Sequence, residues 1–287
     1  MWYYASRLEM PSVTPTEARL LDRLAAERRR VVSRHNDADL LNEVVARPDE
    51  VLQSLAAKGV LHRLGGGQYL VAEFGADEPE HSAPWQVLLD ARMRRIAPYY
   101  ISYFSGLEEQ GLTDHAASEA TVAVLGRAAG SGRKLVIAGR RVVIARISRP
   151  ERWFGFKTKY EGQVGSYQVG EQERVLLDCL DRPALAGGAE TIARAWGRAA
   201  AGRLDVDRVV DYAGRLSHTV ARRAAVMLDL IGETAAAERL AGSLGSSAQP
   251  ATLFGGKYVR GLQTDPHWRV AFDVPRETVL GWVAYER

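Results

Sequence analysis

The sequence predicts an α+β protein: three helices closed by a hairpin, then a larger part in which a mixed sheet precedes a helical layer. Three observations carry this. Apolar residues recur at helical spacing to about Lys58, then give way to two short apolar segments around Gly65-Gly66-Gly67. From Thr121 to Val169 glycines punctuate short strand-like runs, and from Ala189 to Leu244 the chain is alanine-rich and helical throughout. Strands first and helices in a later block favour α+β over a doubly wound sheet. With 287 residues, 46% of them hydrophobic, the chain is long enough for two cores.

Thr14 and Glu17 have capping-box spacing, and Pro15 stands in the first turn, where its missing N–H costs nothing. Leu20, Leu21, Leu24 and Ala25 form the apolar stripe of this first helix, and Arg28-Arg29-Arg30 closes it at the negative end of its dipole. Val31-Val32 reads as a short strand. Asn36 or Asp37 caps a second helix carrying Leu40, Leu41, Val44 and Val45. A third helix starts at Pro48, turns Val51, Leu52 and Leu55 inward, and stops at Gly59. Val60–Leu64 and Gln68–Val71 around the glycines read as a hairpin.

That order is the order of a winged helix-turn-helix, in which the third helix enters the major groove and the hairpin touches the backbone. Its outward positions are Glu50, Gln53, Ser54, Ala57 and Lys58, with Arg47 before it and Arg63 on the wing. Gln53 is the candidate for a base edge, because an amide pairs bidentately with adenine. Arg28, Arg29, Arg30, Arg34, Lys58 and Arg63 are the candidates for phosphate. The competing reading is a protein-docking module: residues 1–75 carry ten basic and ten acidic side chains, and Asp49 and Glu50 stand where phosphates would approach. The glycine triplet is a turn, since no Lys-Ser or Lys-Thr follows it.

The acidic, proline-containing segment 76–84 reads as a linker, which sets the domains at 1–75 and 85–287. Trp85, Leu88, Leu89, Met93 and Ile96 mark an amphipathic helix, and Tyr99 to Thr113 reads as another, closed by Gly111; its three tyrosines and Phe104 read as core in preference to a base-stacking platform. Strands are expected at Thr121–Leu125, Leu135–Ile137, Val142–Ile147 and Tyr167–Val169. A helix follows from Gly170 to Leu180. Four helices with breaks near Gly202, Ser217 and Gly232 come next, then a strand at Trp268–Val274 and a short helix after Pro275.

Residues 127–159 hold ten Lys/Arg against one acid, Glu151. Arg133, Lys134, Arg140, Arg141, Arg146, Arg149, Arg152, Lys157 and Lys159 make a positive field suited to an anionic partner. Trp153, Phe154 and Phe156 among them offer base stacking. The plainer reading is a solvated sheet edge with the aromatics beneath it. If the segment is functional, it extends a DNA footprint, meets a partner protein, or serves as an RNA-binding or protein-interaction module in its own right.

Catalytic chemistry finds no support. Gly126–Lys134 superficially suggests a phosphate loop, but its spacing is wrong and Leu135 stands where Ser or Thr should follow the lysine. Cys179, the only cysteine, sits in an apolar helical stripe with no histidine near it in sequence, so it reads as structural. Glu171 and Glu173 are helix-start charges. No Cys/His spacing marks a metal site and nothing points to a cofactor. No apolar run approaches the roughly 20 residues of a membrane span, and Met1-Trp2-Tyr3-Tyr4 lacks the features of a secretion signal. The expectation is a cytoplasmic protein that is not an enzyme.

Tyr99-Tyr100-Ile101-Ser102, Gly106-Leu107 and Gly111-Leu112-Thr113 carry a resemblance, joined by Glu173-Arg174-Val175-Leu176-Leu177-Asp178-Cys179-Leu180-Asp181-Arg182-Pro183 and Gly187-Gly188. In order and spacing these resemble the AbiE-type antitoxin family, the antitoxin half of type IV toxin–antitoxin pairs. With the N-terminal block ahead of them, the resemblance spans nearly the whole chain. It implies a repressor that binds inverted repeats at its own promoter. It also implies a C-terminal domain that counters a nucleotidyltransferase toxin, some of which modify tRNA. The acidic start of the third helix, Pro48-Asp49-Glu50, departs from what a repressor of this kind would show.

Overall fold

The computed structural model describes residues 12–27, 29–65, 67–71, 84–94, 96–126, 135–161, 165–245 and 249–286. The chain divides into two compact units, Met1–Arg95 with Lys159–Tyr167, and Ile96–Thr158 with Gln168–Arg287. The linker expected at 76–84 lies, but for Pro84, outside the described residues.

In the first unit α1 (Pro15–Ala26) begins on a complete capping box: Glu17 N–H donates to Thr14 Oγ1 and Thr14 N–H donates to Glu17 Oε2. β1 (Val31–Ser33), α2 (Ala38–Val44), α3 (Pro48–Ala57), β2 (Leu61–Gly65) and β3 (Gln68–Val71) follow. The strands form an antiparallel sheet in the order β1-β3-β2. Leu20, Leu24, Leu41, Leu52, Leu55 and Leu61 are buried together, so the periodicity that predicts each helix is also what packs it. Gly59 ends α3 with φ +71, a left-handed turn that a side chain would strain. α4 (Trp85–Met93) packs against β2 and so belongs to this unit, although the sequence reading assigns residue 85 onward to the second domain.

The second unit is built on a mixed sheet, although residues 159–161 and 165–167 of its last two strands fall in the first unit. β4 (Tyr99–Ile101), β5 (Glu119–Leu125), β6 (Val136–Ile137), β7 (Arg140–Ile147), β8 (Phe156–Glu161) and β9 (Gly165–Gly170) stand in the order β6-β7-β5-β4-β9-β8. β5 and β7 pair in parallel over seven registered positions, and β4 pairs antiparallel with β5 and parallel with β9. Two segments differ from the sequence reading. Tyr99–Ile101 is a strand, and only after Ser102 does α5 (Tyr103–Glu109) begin; aromatic and β-branched residues buried in mid-sheet show no alternation to betray the strand. Phe156–Glu161 is also a strand, the last in the sheet, and its Lys157 and Lys159 are the charges that protect such an edge from pairing.

α6 (Gln172–Asp181), α7 (Ala189–Ala201), α8 (Val206–Arg215), α9 (His218–Leu230) and α10 (Thr234–Arg239) form the helical layer, with breaks where Gly202, Ser217 and Gly232 predict them. Short strands β10 (Ala251–Thr252), β11 (Thr264–Asp265) and β12 (Val270–Ala271) and the helix α11 (Arg276–Tyr285) complete the unit. Trp196, Ile192, Leu177 and Leu228 lie at full burial in the shared core. α9 is buried nearly all round, and its Arg222 and Arg223 satisfy the carbonyls of Leu244 and of Thr252 and Leu180.

α7 and α11 meet at Gly197, where an added Cβ would stand 2.2 Å from the Val283 carbonyl oxygen. Backbone cannot move aside as a side chain can. Gly197→Ala is therefore expected to destabilise the protein by about 1–3 kcal/mol, seen as a lower urea midpoint with unchanged slope. Wild-type stability in that variant would mean that the two helices do not touch there.

Candidate nucleic-acid interface

α3 turns Gln53 outward, exposed and with no hydrogen-bond partner among the described residues. Arg63 on β2 is likewise exposed and unpaired. The other basic candidates of this unit are engaged at home. Lys58 Nζ donates to both carboxylate oxygens of Glu17, at 2.8 and 2.6 Å, and Ser54 Oγ donates to Glu17 Oε1 at 2.6 Å. Arg47 pairs with Glu50 on the rim of α3, and Arg34 pairs with Asp49. Arg29 pairs with Glu27 and Asp37, and Asp37 in turn accepts from the Ser33 N–H. Arg30 is half-buried and, with Arg29, Gln68 and Asp90, lines a cavity of about 210 Å³. Arg28 lies outside the described residues.

Glu17 is the centre of this arrangement. Burial pushes its carboxyl up, but hydrogen bonds from Lys58, Ser54 and Thr14 outweigh that and hold it down at about 2. The same acid caps α1 and fixes two side chains of α3. Spacing alone shows the first role and hides the second.

The described part of the basic segment 127–159 separates into three kinds of residue. Arg140 and Arg141 are structural: Arg140 reaches Glu108 and the Ala117 carbonyl, and Arg141 pairs with Glu119, its register partner on β5. Lys157 and Lys159 sit on the edge strand β8, Lys159 over the Tyr167 ring. Arg146, Arg149 and Arg152 line a cleft together with Arg174 of α6 and Arg182 just past its end. Arg133 and Lys134 lie outside the described residues.

Arg174 and Arg182 carry no mark of this role in the sequence, where they resemble ordinary helix charges. Arg174 is buried and donates Nε to Asp178 Oδ1 at 2.9 Å, while Asp178 Oδ2 accepts from Tyr100 OH and Ser102 Oγ. Its Nη1 donates to the carbonyls of Arg152 and Phe154, and Arg182 Nη2 donates to the carbonyl of Arg146. Gly155 makes this approach feasible: at φ +74, a Cβ there would meet Tyr212 at 2.8 Å and Arg174 at 3.1 Å. Tyr103, which lines the cleft, holds the left-handed φ of 55, a strained conformation for an aromatic residue. Burial first, and then Asp178, push the Tyr100 and Tyr103 phenols well above their ordinary range, so both stay protonated.

The aromatics offer no open stacking platform. Tyr100 and Phe156 stack at 5.1 Å between centroids with Trp153 tilted against both. The Phe154 ring lies 3.7 Å from the Arg215 guanidinium carbon and 4.7 Å from that of Arg174. Cys179 is fully buried. Glu171 accepts from Tyr212 OH and buried Glu173 from the Asp205 N–H, so each serves the packing around α6. Among the described residues no three His, Cys, Asp or Glu side chains gather as a metal site, and no helix is long and apolar enough to cross a membrane.

These elements make an α+β chain in which α3 exposes Gln53 and arginines line a cleft beside α6. No family model matches the sequence, and no curated protein matches it. Among solved structures the chain is similar to the crystal structure of the Rv2827c protein from Mycobacterium tuberculosis, with 16% identity and a TM-score of 0.64. The match covers 95% of this chain and 96% of that one. At that identity the likeness shows a common fold and nothing about activity.

Proposed function

We propose that the first unit is a winged helix-turn-helix that binds duplex DNA, with α3 in the major groove and the β2–β3 hairpin along the backbone. The element order α1-β1-α2-α3-β2-β3, with Gln53 exposed and unpaired in mid-α3, is the observation that carries this reading. On the strength of the AbiE-type resemblance we extend it. The chain represses its own promoter at inverted repeats, and its second unit counters a nucleotidyltransferase toxin.

The internal ion pairs shape the expected behaviour. Arg29, Arg34, Arg47 and Lys58 already face carboxylates, so each must exchange partners before meeting phosphate. Few counterions are then released, and the fall of log affinity with log salt should be shallow, corresponding to about two or three phosphates per bound unit. In a mobility-shift assay with duplex from the chain's own upstream region, Gln53→Ala is expected to blur sequence preference. Arg63→Ala should weaken all duplexes alike. Equal affinity of the unaltered protein for any duplex would defeat the repressor reading.

A further inference from the structure

We propose that the cleft formed by the end of β7, the 3-10 turn Pro150–Arg152 and α6 is a binding site for a phosphate dianion. Five arginines, Arg146, Arg149, Arg152, Arg174 and Arg182, line it against two acids, Asp178 and Asp181. Asp178 is closed off by Arg174, Tyr100 and Ser102. Asp181 lies 3.8 Å from Arg182 Nε. Arg149 and Arg152 remain: among the described residues neither side chain forms an ion pair or hydrogen bond, and Arg152 feels Asp181 only through the longer-range field. Two unmatched cations facing one recess match a dianion, and the guanidinium fork presents paired donors to phosphate oxygens.

The site is organised before anything binds. Arg174 holds the Arg152 carbonyl at 2.9 Å and the Phe154 carbonyl at 3.2 Å, and Arg182 holds the Arg146 carbonyl at 2.6 Å. Both ends of the arginine-bearing turn are thus tied to α6, with Arg149 between them. Little ordering of the backbone is left for the ligand to impose.

Size selects the ligand further. The recess holds about 60 Å³, room for one tetrahedral oxyanion, whereas pockets for whole small molecules span roughly 300–1,000 Å³. A bound nucleotide would place its phosphate in the cleft and the rest outside. The covered faces of Phe154, Trp153 and Phe156 add no base stacking, which sets this site apart from a single-strand platform. A phosphodiester inside a strand carries one negative charge and matches less well than a terminal monoester or free phosphate. This site lies wholly in the second unit and does not depend on how the first unit meets DNA.

Calorimetric titration of the full chain at fixed ionic strength tests the proposal with three probes: inorganic phosphate, a nucleoside 5′-monophosphate, and a dinucleoside with only an internal diester. Saturable binding of both dianions is expected, with the diester weaker by about tenfold or more. Tighter binding of the monophosphate than of phosphate identifies a terminal nucleotide phosphate as the natural ligand; equal affinity identifies the free ion. Arg149→Ala and Arg152→Ala should each weaken dianion binding by about tenfold or more. Arg203→Ala, an exposed arginine outside the cleft, should change nothing. Absence of saturable dianion binding, a diester bound as tightly as the monoester, or an equal loss in Arg203→Ala would overturn the proposal.

Discussion

Glu17→Ala is expected to unfold the first unit at temperatures where the unaltered protein is folded. The buried carboxylate accepts from the Thr14 N–H at the head of α1 and from Ser54 and Lys58 on α3. Removing it opens the capping box and strands an ammonium whose side chain is only 27% exposed. Breaking such a pair from one side costs about 3–5 kcal/mol, a large part of a domain's stability of roughly 5–15 kcal/mol. Glu17→Gln, which keeps hydrogen-bonding capacity but not charge, should fall between. The pH dependence has a definite sign. The folded carboxyl titrates at about 2 and an unconstrained one near 4.5, so its contribution is full above pH 4.5 and is lost as pH falls from there toward 2. That contribution is on the order of 3 kcal/mol. Hydrogen exchange of α1 and α3 amides in the full chain reads this unit separately; protection that stays constant from pH 5 to pH 2.5 would show that the carboxylate stabilises nothing.

Glu17 also marks what can be read from a sequence and what cannot. Its cap is local, three residues from Thr14, and the spacing announces it. Its bond to Lys58 joins residues 41 apart in sequence, and no pattern predicts it. The same division runs through the chain. The four helices after Ala189 are legible because alanine-rich segments are interrupted where a glycine or a capping serine must be. β4 is not, because Tyr99-Tyr100-Ile101 is apolar throughout and runs straight into α5, so no period distinguishes strand from helix. β8 is legible only in part: its alternating lysines admit both a ligand-binding strip and a solvated sheet edge, and the strand order makes them an edge. Charge density singles out residues 127–159, but not which of its charges have partners. Arg141 is answered by Glu119 across the sheet. The cleft at Arg149 and Arg152 depends on carbonyl bonds that bridge 22 residues to Arg174 and 36 to Arg182.

The two units therefore treat positive charge differently. In the first, acids beside α3 neutralise most of its cations, which favours contacts chosen by shape and hydrogen bonding over general attraction to phosphate. In the second, buried Arg174 and half-buried Arg182 are consumed in holding a turn, and the turn leaves exposed Arg149 and half-buried Arg152 without an ion pair among the described residues. A duplex-binding assay and a phosphate titration on the same protein should accordingly respond to different substitutions, Gln53→Ala and Arg63→Ala in one, Arg149→Ala and Arg152→Ala in the other.

The second large effect is expected at Asp178. Its side chain is 4% exposed and that of Arg174 2%, so Asp178→Ala leaves a guanidinium buried without its counter-charge and two hydroxyls, of Tyr100 and Ser102, without their acceptor. The lost pair costs about 3–5 kcal/mol and each orphaned donor about 1–3 kcal/mol more, enough to unfold the second unit. Asp178→Asn keeps acceptor and shape and should lose less. The double variant Arg174→Met with Asp178→Leu removes both charges together, and buried pairs replaced by apolar groups are often tolerated. It should be more stable than Asp178→Ala, yet short of the unaltered protein, because the Tyr100 and Ser102 hydroxyls still lose their acceptor and the carbonyls of Arg152 and Phe154 lose the donor that Arg174 supplies. Those carbonyls anchor the turn carrying Arg149 and Arg152. The double variant should therefore stay folded by circular dichroism while its phosphate affinity falls. A folded double variant with unchanged phosphate affinity would show that Arg174 serves packing alone; a double variant no more stable than Asp178→Ala would show that the charge pair is not what holds α6 in place.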